Sequence, residues 1–208
     1  MKDKKLIYWL CLSGVISVVF YFLHDMIGAL YYPGYNRLSQ AVSDLTATDA
    51  PSFIVASGYV TVYKIFSCLC CTMLCILVQN EEKKTLRIGI YVFTIMNFVS
   101  AIGYTMFPLS GSGYDGSLQS MIHAFVVTTL VVLLSISSLV LIAIGAFKSK
   151  YRYLGCLSVL ALVLMFIGAV GSGIVPKEYF GFVERFSTYS AVVFTGILSL
   201  FGFTYVRD

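Results

Sequence analysis

MIHAFVVTTLVVLLSISSLVLIAIGAF, residues 121–147, contains no Asp, Glu, Lys or Arg. A helix over this stretch rises 1.5 Å per residue and is about 40 Å long, enough to cross the roughly 30 Å hydrocarbon core of a bilayer. Its apolar residues run on without the alternation of a barrel strand, so it reads as a membrane-spanning helix. The rest of the chain has the same character. The 208 residues are 59% hydrophobic and 12% charged. A soluble domain cannot hide that much apolar surface, and inside a bilayer only helices and closed barrels satisfy their own backbone.

Six spans fit the chain, at about 5–29, 52–78, 88–107, 121–147, 153–175 and 188–206. The expected fold class is therefore all-α: one polytopic bundle of six transmembrane helices over 1–208, with a structured outer loop at 30–51. Basic residues set the orientation. Lys2, Lys4, Lys5, Lys83, Lys84, Arg87, Lys148, Lys150, Arg152 and Arg207 fall on one side, and only Arg37, Lys177 and Arg185 on the other. Both termini are therefore expected in the cytoplasm, and the protein in the cell membrane as a multi-pass protein. The net charge of +4 follows from these short membrane-flanking clusters, so no nucleic-acid partner is expected. The N-terminal MKDKK followed by an apolar run is read as a retained first helix, because the run is too long for a signal peptide and contains His24 and Asp25. The same start lacks the glycine that myristoylation needs.

All six cysteines, Cys11, Cys68, Cys70, Cys71, Cys75 and Cys156, fall within spans. No His or carboxylate joins Cys68, Cys71 and Cys75 on their shared face, so they are read as packing residues rather than a soft-metal site. In the first outer loop, Tyr32-Pro-Gly-Tyr35 is a turn signal. Asn36 is expected to cap a short helix over Arg37–Leu45, and Asp49 to cap the second span. The glycine- and serine-rich segment 109–117 is read as a solvated linker. In the fifth span, Gly168, Ser172 and Gly173 form a small-residue face. It serves packing within the bundle or, alternatively, a homodimer contact.

The polar residues concentrate at one end of the spans. His24, Asp25, Arg37, Ser39, Ser43, Asp44, His123, Glu184 and Arg185 all sit at alternate junctions, the outer ones in this orientation. Ionisable groups at membrane depth are costly and point to function. His24, His123 and Asp44 are the candidate zinc ligands, where a bound water would become a nucleophile near neutral pH. Without metal, His24, Asp25, Asp44 and His123 form a candidate catalytic set, a His–Asp pair acting as general base on Ser39 or Ser43. Arg37 and Arg185, with Ser39, Ser43, Lys64 and Glu184, are the candidate substrate-binding residues, the arginines gripping an anionic head group. A structural alternative pairs Glu184 and Arg185 with Arg37 and Asp44. Lys64 and Asn97 lie near mid-depth, and Lys64 is expected to face the interior.

The stretch YPGYNRLSQAVSDLTATDAP, residues 32–51, resembles the signature of a prokaryotic six-helix membrane family known as domain of unknown function nine-nine-eight. Met106-Phe-Pro-Leu-Ser110, His123 and Val183-Glu-Arg-Phe186 are similar to its later landmarks. The resemblance implies the six-helix fold and no particular activity. Ser43-Asp44 through Pro51, with His123 later, is more distantly similar to the Frag1/DRAM group, some of which are linked to lipid-anchor remodelling. A looser likeness is to ceramidase-type membrane hydrolases, whose zinc site uses a Ser, an Asp and three His. This chain has two His, so that ligand set does not carry over whole.

The leading expectation is an outward-facing polar pocket that binds, and hydrolyses or remodels, a membrane lipid or amphiphile. The alternatives are a small transporter or channel and an accessory membrane subunit without catalysis. The topology is checked by a reporter fused after Asp208, which should be active only in the cytoplasm. Activity of that reporter outside the cell would reverse the orientation.

Overall fold

Each long apolar run of the sequence is helical. The structure, a computed structural model, describes residues 2–207. Its α-helices are α1 (Lys2–Cys11), α2 (Ser13–Leu30), α3 (Phe53–Leu77), α4 (Lys84–Met106), α5 (Leu118–Met121), α6 (Thr128–Phe147), α7 (Arg152–Gly171) and α8 (Phe180–Arg207). Six segments are long and apolar enough to cross a membrane: Trp9–Leu30, Phe53–Asn80, Lys84–Met106, Leu118–Phe147, Arg152–Gly171 and Lys177–Tyr205. Span one carries a single break at Leu12, between α1 and α2. Span four is α5 and α6 joined by a π-helical segment, Ile122–Val127. Among the described residues there is no strand.

The helices close a ring in the order α2, α3, α4, α6, α7, α8 and back to α2, and α3 also meets α8 across it. Six crossings return the chain to the side it started from, here called the terminal side. On that side the centre is filled by Leu74, Leu86, Ile90, Phe93, Leu139, Ile142, Phe194, Leu198 and Phe201. The Phe93 and Phe194 rings meet edge to face, 5.4 Å apart. Ile54, Ile65, Ile102, Leu133, Leu160 and Leu200 stay exposed on the outer faces, as residues of helices solvated by lipid do. Cys70 and Cys71 are buried in the same core, and the Cys75 sulfur lies 3.0 Å from the Thr94 hydroxyl.

Three boundaries differ from those expected. Span six begins near Lys177 rather than 188, so Glu184 and Arg185 belong to the helix. Their charge resembles a loop in the sequence, but the interior of the bundle supplies their partners. Span five ends at Gly171, because the glycines and serine at 171–173 favour an early stop. The expected helix over Arg37–Leu45 is replaced by a turn and a 3-10 segment, Val42–Thr46. Asn36 Oδ1 accepts from the Leu38 N–H as in an Asx turn. The carbonyls of Arg37 and Gln40, which a helix would use itself, are taken by Arg185.

The small-residue face of span five is used inside the subunit. A Cβ on Gly168 would lie 2.1 Å from the Ser187 nitrogen, so α7 and α8 touch backbone to backbone there. Ser172 Oγ bonds to its own helix at the Ala169 carbonyl. Gly168 therefore cannot serve the homodimer contact considered for Gly168, Ser172 and Gly173, since α8 already occupies it. Gly168→Val should separate the two helices and lower the unfolding temperature, with an overpacking cost of about 1–3 kcal/mol or more. Differential scanning fluorimetry in detergent reads this, and an unchanged midpoint would contradict the packing.

Candidate functional site

On the far side of the bundle, opposite the termini, the interior turns polar. Its anchor is a buried ion pair between span one and span six. Arg185 donates from Nε to Asp25 Oδ2 at 3.2 Å and from one terminal nitrogen to Asp25 Oδ1 at 3.0 Å, the two-pronged geometry that favours Arg over Lys. That nitrogen also reaches the Tyr35 hydroxyl at 2.8 Å. The other terminal nitrogen donates to the carbonyls of Arg37, Gln40 and Gly181. Tyr189, one turn after Arg185, gives its hydroxyl proton to Asp25. Both members of the pair are buried, and both are saturated. Arg185 thus holds the first loop onto α8, and the grip on a head group expected of it is not available. Asp25 likewise has no free lone pair aimed at a reactant. Arg37 leans on the same centre, donating to the Asp25 carbonyl at 3.1 Å, but stays half exposed.

The loops above this anchor are stitched together. Pro33 and Gly34 make a tight turn, with Gly34 at φ 79° and the Tyr35 N–H on the Tyr32 carbonyl. Asp44 accepts from the Ala41 N–H at 3.1 Å and the Gly113 N–H at 3.0 Å, joining the two far-side loops. Burial pushes its carboxyl above the usual range, while these two N–H groups pull the other way. Burial also pushes the Tyr35 phenol well up, against the pull of Arg185. Asp49 accepts from the Ser112 N–H at 3.0 Å instead of capping α3. Thr48 bonds to the Leu109 and Ser110 carbonyls. Segment 109–117 is therefore a fastened cap rather than a loose linker, because loop one offers it carboxylates and hydroxyls at matching positions. Ser39 and Ser43 lie in the first loop, and neither hydroxyl bonds to an imidazole, so no Ser–His pair is formed.

Below the cap stand the two histidines. His24 Nδ1 is 3.1 Å from the Ala56 carbonyl on α3, and His123 Nδ1 is 2.8 Å from the Phe107 carbonyl after α4. A carbonyl only accepts, so each Nδ1 carries the proton and each neutral ring keeps its lone pair on Nε2. No buried side-chain nitrogen or oxygen among the described residues lacks a partner. Neither Nε2 has a protein partner, so both open onto space that a water molecule can enter. His123 sits in the π-helical segment, where Thr128 Oγ1 takes the His123 carbonyl at 2.9 Å. π-segments of this kind recur at functional positions.

Tyrosines pack on both imidazoles. The Tyr21 ring is 5.5 Å from His24 and 4.8 Å from Tyr63. The Tyr104 ring is 4.7 Å from His123, and its hydroxyl donates to Thr128. Glu184 accepts from Thr188 Oγ1 at 2.8 Å and from the Val42 N–H at 3.5 Å. Val42 packs in one cluster with Tyr21 and Tyr63, which sets Glu184 beside the tyrosines next to His24. Lys64 starts deep in α3 but runs toward the far side and donates to Thr105 Oγ1 at 2.8 Å. That bond ties α3 to α4.

The candidate ligands do not fit zinc. Among the described residues no three His, Cys, Asp or Glu side chains form a group that could hold a metal. α2 and α6 face each other across the ring, so His24 and His123 are held apart. Asp44 is used in the cap. The set His24, His123 and Asp44 is thus corrected by geometry. Tyr35 and Tyr189 complete the Asp25 anchor, and Tyr21 lines the interior. None of the three was singled out from sequence, where fifteen tyrosines look alike. The available signal was spacing, since Tyr21 stands one turn from His24 and Tyr189 one turn from Arg185.

The family model described as "Protein of unknown function (DUF998)" matches residues 15–200. The chain belongs to this family. No curated protein and no solved structure matches it. The match covers every residue of this candidate site, from Tyr21 to Tyr189, together with both far-side loops.

Removing one partner of the anchor leaves the other charge buried and bare, which costs about 3–5 kcal/mol in comparable pairs. Asp25→Ala and Arg185→Ala should each lower the unfolding midpoint strongly. Asp25→Leu combined with Arg185→Met should lower it by less than either single change. A double variant as unstable as the sum of the singles would mean that the two residues act independently.

Proposed function

We propose that this DUF998 protein binds the polar head of a membrane lipid or amphiphile in the chamber between His24 and His123. The cap of loops one and two closes the chamber on the extracytoplasmic side of the cell membrane. The observation that carries this reading is the paired imidazole geometry: each Nδ1 is fixed by a main-chain carbonyl, and each Nε2 is left without a protein partner. Hydrogen-bond acceptors held this way, with no protein donor to meet them, suit a ligand that brings donors of its own.

Binding is favoured over conduction. The terminal half is packed with Phe93, Phe194, Leu198 and Phe201, so a polar solute would have no route past them. Hydrolysis is the chemistry such a site would support. An Nε2 lone pair can take a proton from water as that water attacks a bound ester, and the proton then passes to the leaving alcohol. Serine nucleophiles are not part of the proposal, because Ser39 and Ser43 do not meet a base.

The test uses lipid retained by the purified protein. Native mass spectrometry of wild type should show a bound amphiphile that His24→Ala/His123→Ala loses at least tenfold while inserting normally. Equal retention in the double variant would end the reading.

A further inference from the structure

Among the described residues Glu184 forms no direct ion pair, and the Arg185 charge reaches it only through space. Its two partners, the Thr188 hydroxyl and the Val42 N–H, are neutral. Arg185 is adjacent in sequence but spends its donors on Asp25, Tyr35 and three carbonyls. Arg37 leans on Asp25, and Lys64 on Thr105. A charge at membrane depth is expensive without a counter-ion.

The surroundings of Glu184 suit one kind of counter-ion. Val42, whose N–H meets Glu184, packs in one cluster with Tyr21 and Tyr63, and the Tyr21 and Tyr63 rings lie 4.8 Å apart. Tyr21 is only 8% exposed, yet its hydroxyl has no protein partner. His24 is 2% exposed, and its Nε2 is equally free. A carboxylate, tyrosine faces and unmet acceptors together are the chemistry that recognises an ammonium group, through charge, cation–π attraction and N–H donation. A phosphate would find the opposite beside Glu184: acceptors, a negative charge and an Arg185 whose donors are already used.

We propose that the head group taken by the chamber is an amine or quaternary ammonium, with Glu184 as its counter-ion and the Tyr21 and Tyr63 side chains as its walls. This rests on reading the chamber as an amphiphile site and adds the charge of the ligand. Charge also sets the direction of entry into the pocket, since the ammonium end must reach Glu184 while the hydrocarbon tail stays in lipid.

The experiment compares hexadecylamine with hexadecanol, equal in chain length and different in head charge, on the full chain in a neutral detergent. Thermal-shift titration should give at least tenfold tighter binding of the amine to wild type. Glu184→Gln keeps an acceptor for Thr188 and should erase the difference while leaving the alcohol unaffected. If Glu184→Gln does not fold, Tyr63→Leu decides, since it removes a wall without touching the carboxylate and should weaken the amine several-fold. Equal binding of amine and alcohol, or a preference that survives in the folded variant, would overturn the ammonium proposal and leave the amphiphile reading standing. Binding of neither probe would overturn both.

Discussion

The Arg185–Asp25 pair is the constraint on which the far half of this bundle depends. Taking two charges out of water costs several kcal/mol per ion, roughly, and is offset only when every donor and lone pair is met. Here that condition is fulfilled by elements that must then stay together. Asp25 comes from span one and Arg185 from span six, while Tyr35 and the Arg37 and Gln40 carbonyls come from the loop between spans one and two. The pair therefore fixes a helix contact and a loop in one step. Gly181 makes this geometry accessible. A Cβ there would lie 2.0 Å from the Gln40 carbonyl oxygen, so any larger residue would lift the loop off α8 and remove acceptors from Arg185.

Once the loop is pinned, its remaining polar groups organise the cap. Asp44 and Asp49 face the second loop and meet Gly113 and Ser112, and the Val42 N–H reaches down to Glu184. Polar contacts thus run from the surface of the cap to Glu184 on α8. The terminal half contrasts with this: aromatic and branched side chains meet at the axis, and no Asp, Glu, Lys, Arg or His sits among them. In a membrane protein the hydrophobic effect does not distinguish these halves, because lipid is as apolar as the core. What separates them is where the buried polar groups find partners.

Much of the architecture was legible in the sequence because hydrocarbon imposes a simple rule on any segment that crosses it. The length and continuity of 121–147 required a helix, and the grouping of His24, Asp25, Asp44, His123, Glu184 and Arg185 at alternate junctions placed them on one side. The roles within that group were not legible. Asp25 and His24 are neighbours in the chain and look like a catalytic pair, yet a helix turns successive residues by about 100°. One faces α8 and the other α3. Glu184 and Arg185 part in the same way, one toward the chamber and one toward the anchor. The start of span six differs from the expected one for a related reason: two charges suggest a loop until their partners on other segments are known.

The sequence alone determined the six spans, the side on which the chemistry-bearing residues gather and the family to which the chain belongs, because these follow from local hydropathy, charge and motif. Only the tertiary structure decided which polar residues are struts and which are free. That distinction rests on contacts between positions as far apart as Asp25 and Arg185, or Val42 and Glu184, and on which face each helix turns inward. A hydrogen bond to a distant carbonyl leaves no mark in composition or spacing, yet it separates a saturated carboxylate from an unmatched one.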